Sequence, residues 1–371
     1  MNPEVSPGLE GIFADTSSIC NVEHDTGLIY RGYSIEDLSE NALFEEVAYL
    51  LLFGKLPDSK GLEDFISRLT HERPILEDIL HIIRRLPISG NIMDVLRIVV
   101  SILALYDPDI SDNSYDANIK KAIRLIARIP TIITAIYRII RGKDYIPPDS
   151  KLSHIQNFFY MLNGDVPEDF MAKALNVSLI LYAEHEFNAS TFSARVTAST
   201  LSDIYSAITS AIGTLKGPLH GGANEKVMQM LLKIGEPSKA ETWVNDALTR
   251  KERIPGFGHR VYKKGDLRSD IIKRFSNELG ERLGKTEWYK ISCIVEDVML
   301  KEKGLYPNLD FYSASTFYLM GIPIELFTPV FVVSRITGWT AHVIEQHENN
   351  RLIRPRCLYT GPKGLKYPKS R

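Results

Sequence analysis

Three cysteines in 371 residues, Cys20, Cys293 and Cys357, are too few and too far apart for a disulfide framework or a thiolate zinc site. They suit free thiols in a reducing compartment, so a cytoplasmic location is expected. Neither sign of charge dominates: the formal net charge is -2, which excludes the strong field of a nonspecific nucleic-acid binder. No stretch approaches the roughly 20 apolar residues needed to span a bilayer. The opening MNPEVSPGLEG lacks a basic stretch followed by an apolar one, so no secretory leader and no membrane partner are expected. Neither a fixed-period repeat nor a low-complexity tract is visible, which argues against a solenoid. What is present, 44% hydrophobic and 24% charged residues, can bury one large core or two moderate ones.

Residues 9–33 mix β-branched and turn-forming residues around Asp25-Thr26-Gly27, which predicts a small hairpin. From Ser34 the apolar spacing becomes helical. SIEDLSENALFEEVAYLLLFG reads as one unit, opening on a Ser-x-x-Asp cap and closing at Gly54 before Pro57. Helical segments are further predicted near 62–70, 75–86, 91–106, 116–140, 151–163, 168–190, 196–215, 223–234, 238–252, 268–284, 286–303, 310–320, 324–337 and 339–348. The expected class is all-α with a small N-terminal β-hairpin.

Several segments carry chemically capable side chains. In KGPLHGGANE, His220 sits on an interhelical turn directly before Gly221 and Gly222, a setting that suits either a plain turn histidine or an imidazole offered to a ligand. RKERIPGFGHRVYKKGDLR surrounds His259 with Arg250, Lys251, Arg253, Arg260, Lys263, Lys264 and Arg268. A polyanion would be welcome there, although a solvated basic loop reads the same way. Gly256-x-Gly258 is no dinucleotide fingerprint, because Val261 stands where the third glycine belongs.

NLDFYSASTFYLMG places Asp310 at a helix start, where an N-cap is the ordinary role, with Phe311, Ala314, Phe317 and Tyr318 turned inward. A cap's hydrogen bonds would favour the carboxylate form, so capping and base chemistry are compatible. His185, in LYAEHEFNASTF, is predicted on a helix face shared with Met171, Leu175, Ser178 and Tyr182, where most histidines are core residues. His342-Val-Ile-Glu345-Gln-His347 misses the inverted zinc motif by one position, so no metal is assigned. Residues 351–371 carry seven basic and no acidic side chains, which suits an anion contact or a soluble tail.

Taken jointly, KGPLHGGANE, GFGHRVYKKGDLR and PNLDFYSA resemble the citrate synthase family in order and spacing, with likeness running from GLEGIF near residue 8 to RPRCLYTGP near residue 362. The resemblance implies a two-domain helical fold: residues 1–220 plus 316–371 forming a large domain and 221–315 a small one. It implies an obligatory homodimer, and simple dimers rather than hexamers. No tightly bound cofactor is implied, a CoA thioester being a co-substrate. It also implies that oxaloacetate and acetyl-CoA condense at His220, His259 and Asp310. His185, Arg268 and Arg335 would bind oxaloacetate, together with Arg354 donated to the other subunit's site. Arg253, Ile254, Pro255, Gly256, Phe257, Arg260 and Lys263 would meet CoA.

Two positions depart from the family text. Leu267 replaces a proline before Arg268, which could loosen that arginine, and Ala314 replaces a glycine, which could narrow the acyl pocket. A 2-methylcitrate synthase using propionyl-CoA therefore stays open, as does a non-catalytic CoA- or anion-binding helical protein.

Overall fold

A computed structural model describes residues 5–23, 27–87, 91–258, 261–262 and 265–367. Strands β1 (Cys20–Glu23), β2 (Gly27–Tyr30) and β3 (Tyr33–Ser34) form one antiparallel sheet with Cys20 opposite Tyr30, the hairpin that the sequence predicts. Residues 24 to 26 of its turn lie outside the described residues. Sixteen α-helices follow among the described residues. They are α1 (Ile35–Asn41), α2 (Phe44–Phe53), α3 (Ser59–Glu72), α4 (Glu77–Arg85), α5 (Ile92–Leu103), α6 (Tyr115–Ile140), α7 (His154–Asn163) and α8 (Asp169–Tyr182). Then come α9 (Ala189–Ala198), α10 (Ile204–Leu215), α11 (Ala223–Ile234), α12 (Pro237–Thr249), α13 (Leu267–Leu283), α14 (Glu287–Lys303), α15 (Leu309–Leu319) and α16 (Phe327–Glu348).

The all-α class holds, and the differences from expectation lie at helix ends. The predicted unit from Ser34 to Gly54 is two helices. Ser34 caps α1, its hydroxyl accepting from Asp37 N at 3.2 Å, while the Glu46 carboxylate accepts from Leu43 N at 2.7 Å and opens α2. Predicted helix 168–190 stops at Tyr182. Glu186 has φ +50, outside right-handed helix, and Asn188 starts α9 by accepting from Thr191 N at 3.1 Å. Predicted helix 196–215 is likewise broken, at Leu201 with φ +64, and Asp203 caps α10. In the other direction, the segments predicted on either side of Gly338 are one continuous helix, α16.

Almost every residue of α16 is buried, as expected for a helix apolar around most of its circumference. It packs against α2, α6, α8, α9 and α10. Helices α11 to α15 pack largely on one another, with α12 on α14 and both α11 and α13 on α15. The two groups meet where α11 packs on α16 and where α8 packs on α13 and α15, the C-terminal Tyr182 of α8 reaching Asp310 of α15. That junction is where the chemically capable side chains gather. Among the described residues no helix is long and apolar enough to cross a membrane.

Candidate active site

A cleft of about 1340 Å³ opens at this junction, lined by stretches that are far apart in sequence. His185, His220, Arg268, Asp310 and Arg335 all line it, as do Arg253, Pro255, Gly256 and Phe257. It exceeds the ~300–1,000 Å³ of ordinary ligand pockets and has room for more than one small molecule. His259, Arg260 and Lys263 fall outside the described residues. Ile254 is buried beneath the loop instead of lining the cleft.

His220 lies on the turn between α10 and α11, closed by its own N–H to Gly217 O at 2.9 Å and by Gly221 N–H to Leu215 O at 2.9 Å. Gly221 is required by packing, since a Cβ there would lie 2.6 Å from Leu215 O. The imidazole faces the first turn of α9: the backbone N–H of Ser190 donates to Nε2 at 3.3 Å, with Ser190 Oγ 2.8 Å from the same atom. An amide N–H can only donate, so Nε2 is the acceptor and the ring proton of neutral His220 resides on Nδ1. Burial first, and then the nearby Arg335 cation, lower its pKa to about 4. At neutral pH it is an uncharged hydrogen-bond donor.

Asp310 is not the N-cap that the sequence suggests. Asn308 is, its side-chain oxygen accepting from Asp310 N at 3.1 Å, which puts Asp310 inside the first turn of α15. Freed from capping, the carboxylate turns to the cleft and receives the Tyr182 hydroxyl at 2.6 Å. Burial raises its pKa to about 6, with Tyr182 and Arg268 pulling the other way. It is therefore mostly ionised at neutral pH and more basic than an exposed aspartate.

The same Asn308 donates to Gly258 O at 3.0 Å, and its N–H bonds Gly256 O at 2.9 Å. These bonds fasten loop 253–258 to the start of α15. Gly256 has φ +83, and a Cβ there would come within 2.8 Å of Val227 and 2.9 Å of Phe311, so only glycine fits.

Arg268 is clamped by Asp266 through Nε to Oδ1 at 3.0 Å and Nη2 to Oδ2 at 2.8 Å. Asp266 also accepts from Leu309 N at 3.2 Å, tying α13 to α15. The loosening expected from Leu267 is thus opposed by this clamp. Burial would depress the Arg268 pKa, but Asp266 raises it above the ordinary value. Arg335, on α16, gives Nε to Tyr182 O at 2.6 Å, its guanidinium carbon 4.6 Å from the centre of the Phe331 ring. Among the described residues it has no carboxylate ion pair, and burial lowers its pKa. The cleft therefore presents two buried cations, one clamped and one without a matching acid.

His185 is not on a helix face. It lies in the loop between α8 and α9, with Nε2 3.3 Å from the Tyr262 hydroxyl. The reason for the difference is the break at Glu186, which turns the chain so that His185 faces the cleft. Ala314 is fully buried and does not line the cleft, so it does not narrow it directly. Arg354 is exposed, beyond α16, and does not line the cleft of its own chain. His342 and His347 face different partners, Glu184 and Arg195 for the first, Asn118 and Ser202 for the second. Sequence reasoning missed Tyr182, Ser190 and Asp266 as site residues. The Asn188-x-x-Thr191 cap pattern could have placed a helix start at Ser190, but nothing local pairs Tyr182 with Asp310.

The chain is similar to known proteins over nearly its whole length. The family described as citrate synthase, C-terminal domain, matches residues 8–356. The citrate synthase of Haloferax volcanii is 48% identical, covering 99% of this chain and 98% of its own. The 2-methylcitrate synthase of Mycobacterium tuberculosis is 46% identical, covering 97% and 91%. A citrate synthase of Thermoplasma acidophilum, solved as a ternary complex with carboxymethyl coenzyme A and oxaloacetate, superimposes with a TM-score of 0.93 at 35% identity, covering 98% of both chains. With a match of this extent and identity, the chain belongs to the citrate synthase family and is an acyltransferase of that family.

Proposed function

We propose that this enzyme condenses oxaloacetate with acetyl-CoA and hydrolyses the resulting thioester to citrate and CoA, as a cytoplasmic step of the tricarboxylic acid cycle. The observation that carries the reading is one cleft holding a neutral imidazole donor, His220, a carboxylate of raised basicity, Asp310, and two buried guanidiniums. Asp310 takes a proton from the acetyl methyl group while Nδ1–H of His220 donates to the thioester oxygen as negative charge develops there. The enolic carbon then attacks the oxaloacetate ketone. The new carbon–carbon bond forms as the ketone π electrons move onto oxygen, which His259 polarises and protonates. Water then replaces CoA at the thioester carbonyl, and CoA leaves as the thiol.

A positioned base contributes roughly 10²–10⁴-fold and one oxyanion donor about 10²–10³-fold, so a weak carbon acid needs both. Arg268 and Arg335 match the two carboxylates of oxaloacetate, with His185 as a further donor. Loop 253–257 meets the adenine through its backbone, while Arg253, Arg260 and Lys263 meet phosphates. Residues 221–315 form a small domain that closes over the substrates, Gly217, Gly221 and Gly222 serving as hinge, and exclude water during condensation. The enzyme works as a homodimer in which Arg354 enters the partner's cleft. Its exposure beyond α16, away from its own cleft, supports this.

Propionyl-CoA is the second acyl donor to consider, on the strength of the 46% identity with a 2-methylcitrate synthase. One methylene in an apolar pocket is worth only ~1–3 kcal/mol, so some activity with both is expected. The test is free-thiol release on mixing oxaloacetate with acetyl-CoA or propionyl-CoA in the presence of a chelator. Faster release from acetyl-CoA supports the proposal. The reverse order would assign the 2-methylcitrate reaction, and release from neither would remove the condensation reading altogether.

A further inference from the structure

The carboxylate of Asp310 has a partner outside the substrates, and that partner comes from a different part of the chain. Tyr182, the last residue of α8, donates its hydroxyl to Oδ1 of Asp310 at 2.6 Å. Ser313 Oγ lies 2.7 Å from the same phenol oxygen. A phenol has one proton, and an ionised carboxylate is the stronger acceptor, so the phenol gives its proton to Asp310 and can accept from Ser313. The ring is fixed on its other sides by Phe331 at 4.5 Å and Phe317 at 6.3 Å between centroids. Its backbone carbonyl receives Arg335 Nε at 2.6 Å. Tyr182 is therefore held at both ends before it touches Asp310.

We propose that Tyr182 is the positioning residue of the catalytic base, engaging Oδ1 of Asp310 so that Oδ2 is the atom that takes the proton from the acyl group, and keeping the buried carboxylate ionised. The inference rests on Asp310 being that base. Burial is the largest influence on Asp310 and pushes its pKa up; the Tyr182 hydrogen bond is the largest influence opposing burial, followed by Arg268. Asp266 pushes it up and Arg335 pulls it down. His220, from the α10–α11 turn, and Lys226, from α11, face the same cleft. The phenol itself remains a donor, because burial and the Asp310 charge raise its own pKa well above the ordinary value.

Tyr182→Phe removes one proton donor and little volume. Loss of a hydrogen bond to a charged acceptor should move the acid limb of kcat upward by about one to two pH units, giving roughly a tenfold or greater loss below the limb, with the KM for oxaloacetate little changed. A packing defect alone would lower activity at all pH values without moving the limb. The Asp310 titration is followed independently by infrared difference spectra of the carboxyl stretch, using Asp310→Asn in each background to assign the band. Ser313→Ala, which leaves the phenol in place but removes its donor, should move the midpoint the same way by less. An upward midpoint in Tyr182→Phe supports the inference. An unchanged midpoint in both Tyr182→Phe and Ser313→Ala would overturn it. The spectra need no turnover, so an absence of thiol release from the wild type would count against the functional proposal alone.

Discussion

Nε2 of His342 lies 2.9 Å from Oε1 of Glu184, and both side chains are completely buried. On the other face of the ring, Arg195 Nη1 is 3.1 Å from Nδ1. A guanidinium only donates, so Nδ1 accepts and the N–H at Nε2 donates a hydrogen bond to Glu184. Arg195 also pairs with Glu345 at 2.8 Å and Asp15 at 3.3 Å, and Glu345 accepts from Ser18 N at 2.9 Å. The network thereby fastens the segment 11–17, which lines the cleft, to α16 and α9.

Arg195→Met should cost about 1–3 kcal/mol, because it leaves the half-buried Glu345 carboxylate and the buried Nδ1 of His342 without their donor. Urea unfolding measures the loss. Adding Glu345→Gln should recover part of it; a double variant as unstable as the sum of the two singles would show that the pair is not coupled.

Gly338→Ala should be destabilising although it lies in mid-helix, where alanine is ordinarily the better residue. A Cβ at 338 would overlap the Glu184 carboxylate and lie 2.5 Å from Ala183 O. Overpacking of this kind costs about 1–3 kcal/mol, read as a lower thermal midpoint, whereas a raised midpoint would mean that the helix slides to make room.

Gly338 also shows where sequence legibility ends. Ser34, Gly54 and the Gly-Gly after His220 announce local events, and the helix boundaries nearest to them were readable because caps and turns are decided by a few neighbours. In sequence Gly338 reads as punctuation between two helices, yet its cause is Glu184, more than a hundred positions away. The sequence places His185 on a helix face with Met171, Leu175, Ser178 and Tyr182 for a related reason: that spacing is helical, but the left-handed residue at 186 and the Asn188 cap decide the backbone. His220 and Asp310 were visible as candidates through turn and helix-start context. Their partners Ser190 and Tyr182 were not, since hydrogen bonds between distant segments leave no local pattern.

His220→Ala should lower kcat by about 10²–10³-fold while leaving oxaloacetate binding largely intact, the signature of a donor used mainly as charge develops. With His220 titrating at about 4 and Asp310 at about 6, the wild-type kcat should fall as pH drops through 6, because the base becomes protonated. Above pH 5 no separate limb should belong to His220. A limb that persists unchanged near pH 6 in Asp310→Glu and vanishes in His220→Ala would reverse the two assignments.

His154, buried between Arg73 and Phe44, supplies a stability prediction away from the cleft. Burial first, and then Arg73, lower its pKa to about 3. An unfolded histidine titrates near ~6.5, so below that value the unfolded chain binds the extra proton and the folded one does not. Its contribution is therefore lost progressively as pH falls from about 6.5 toward 3, at ~1.4 kcal/mol per pH unit once well below 6.5. His154→Leu should flatten this part of the acid stability profile measured by urea unfolding between pH 7 and 5. An equally steep profile in the variant would assign the acid sensitivity to other groups.

Arg354 gives the sharpest test of a shared site. Its own chain keeps it exposed and away from the cleft, at the start of an arm, residues 350–367, that has no regular structure. If the arm of each subunit completes the partner's oxaloacetate site, Arg354→Ala and Asp310→Asn homodimers should both be nearly inactive. A heterodimer of the two has one cleft missing both groups and one cleft with neither change, because the intact Asp310 belongs to the subunit that receives the intact Arg354. Verified heterodimers should then recover about half of the wild-type rate per dimer, since one of two independent sites is whole. Were each subunit to use its own Arg354, every cleft in the heterodimer would carry one defect and no activity would return.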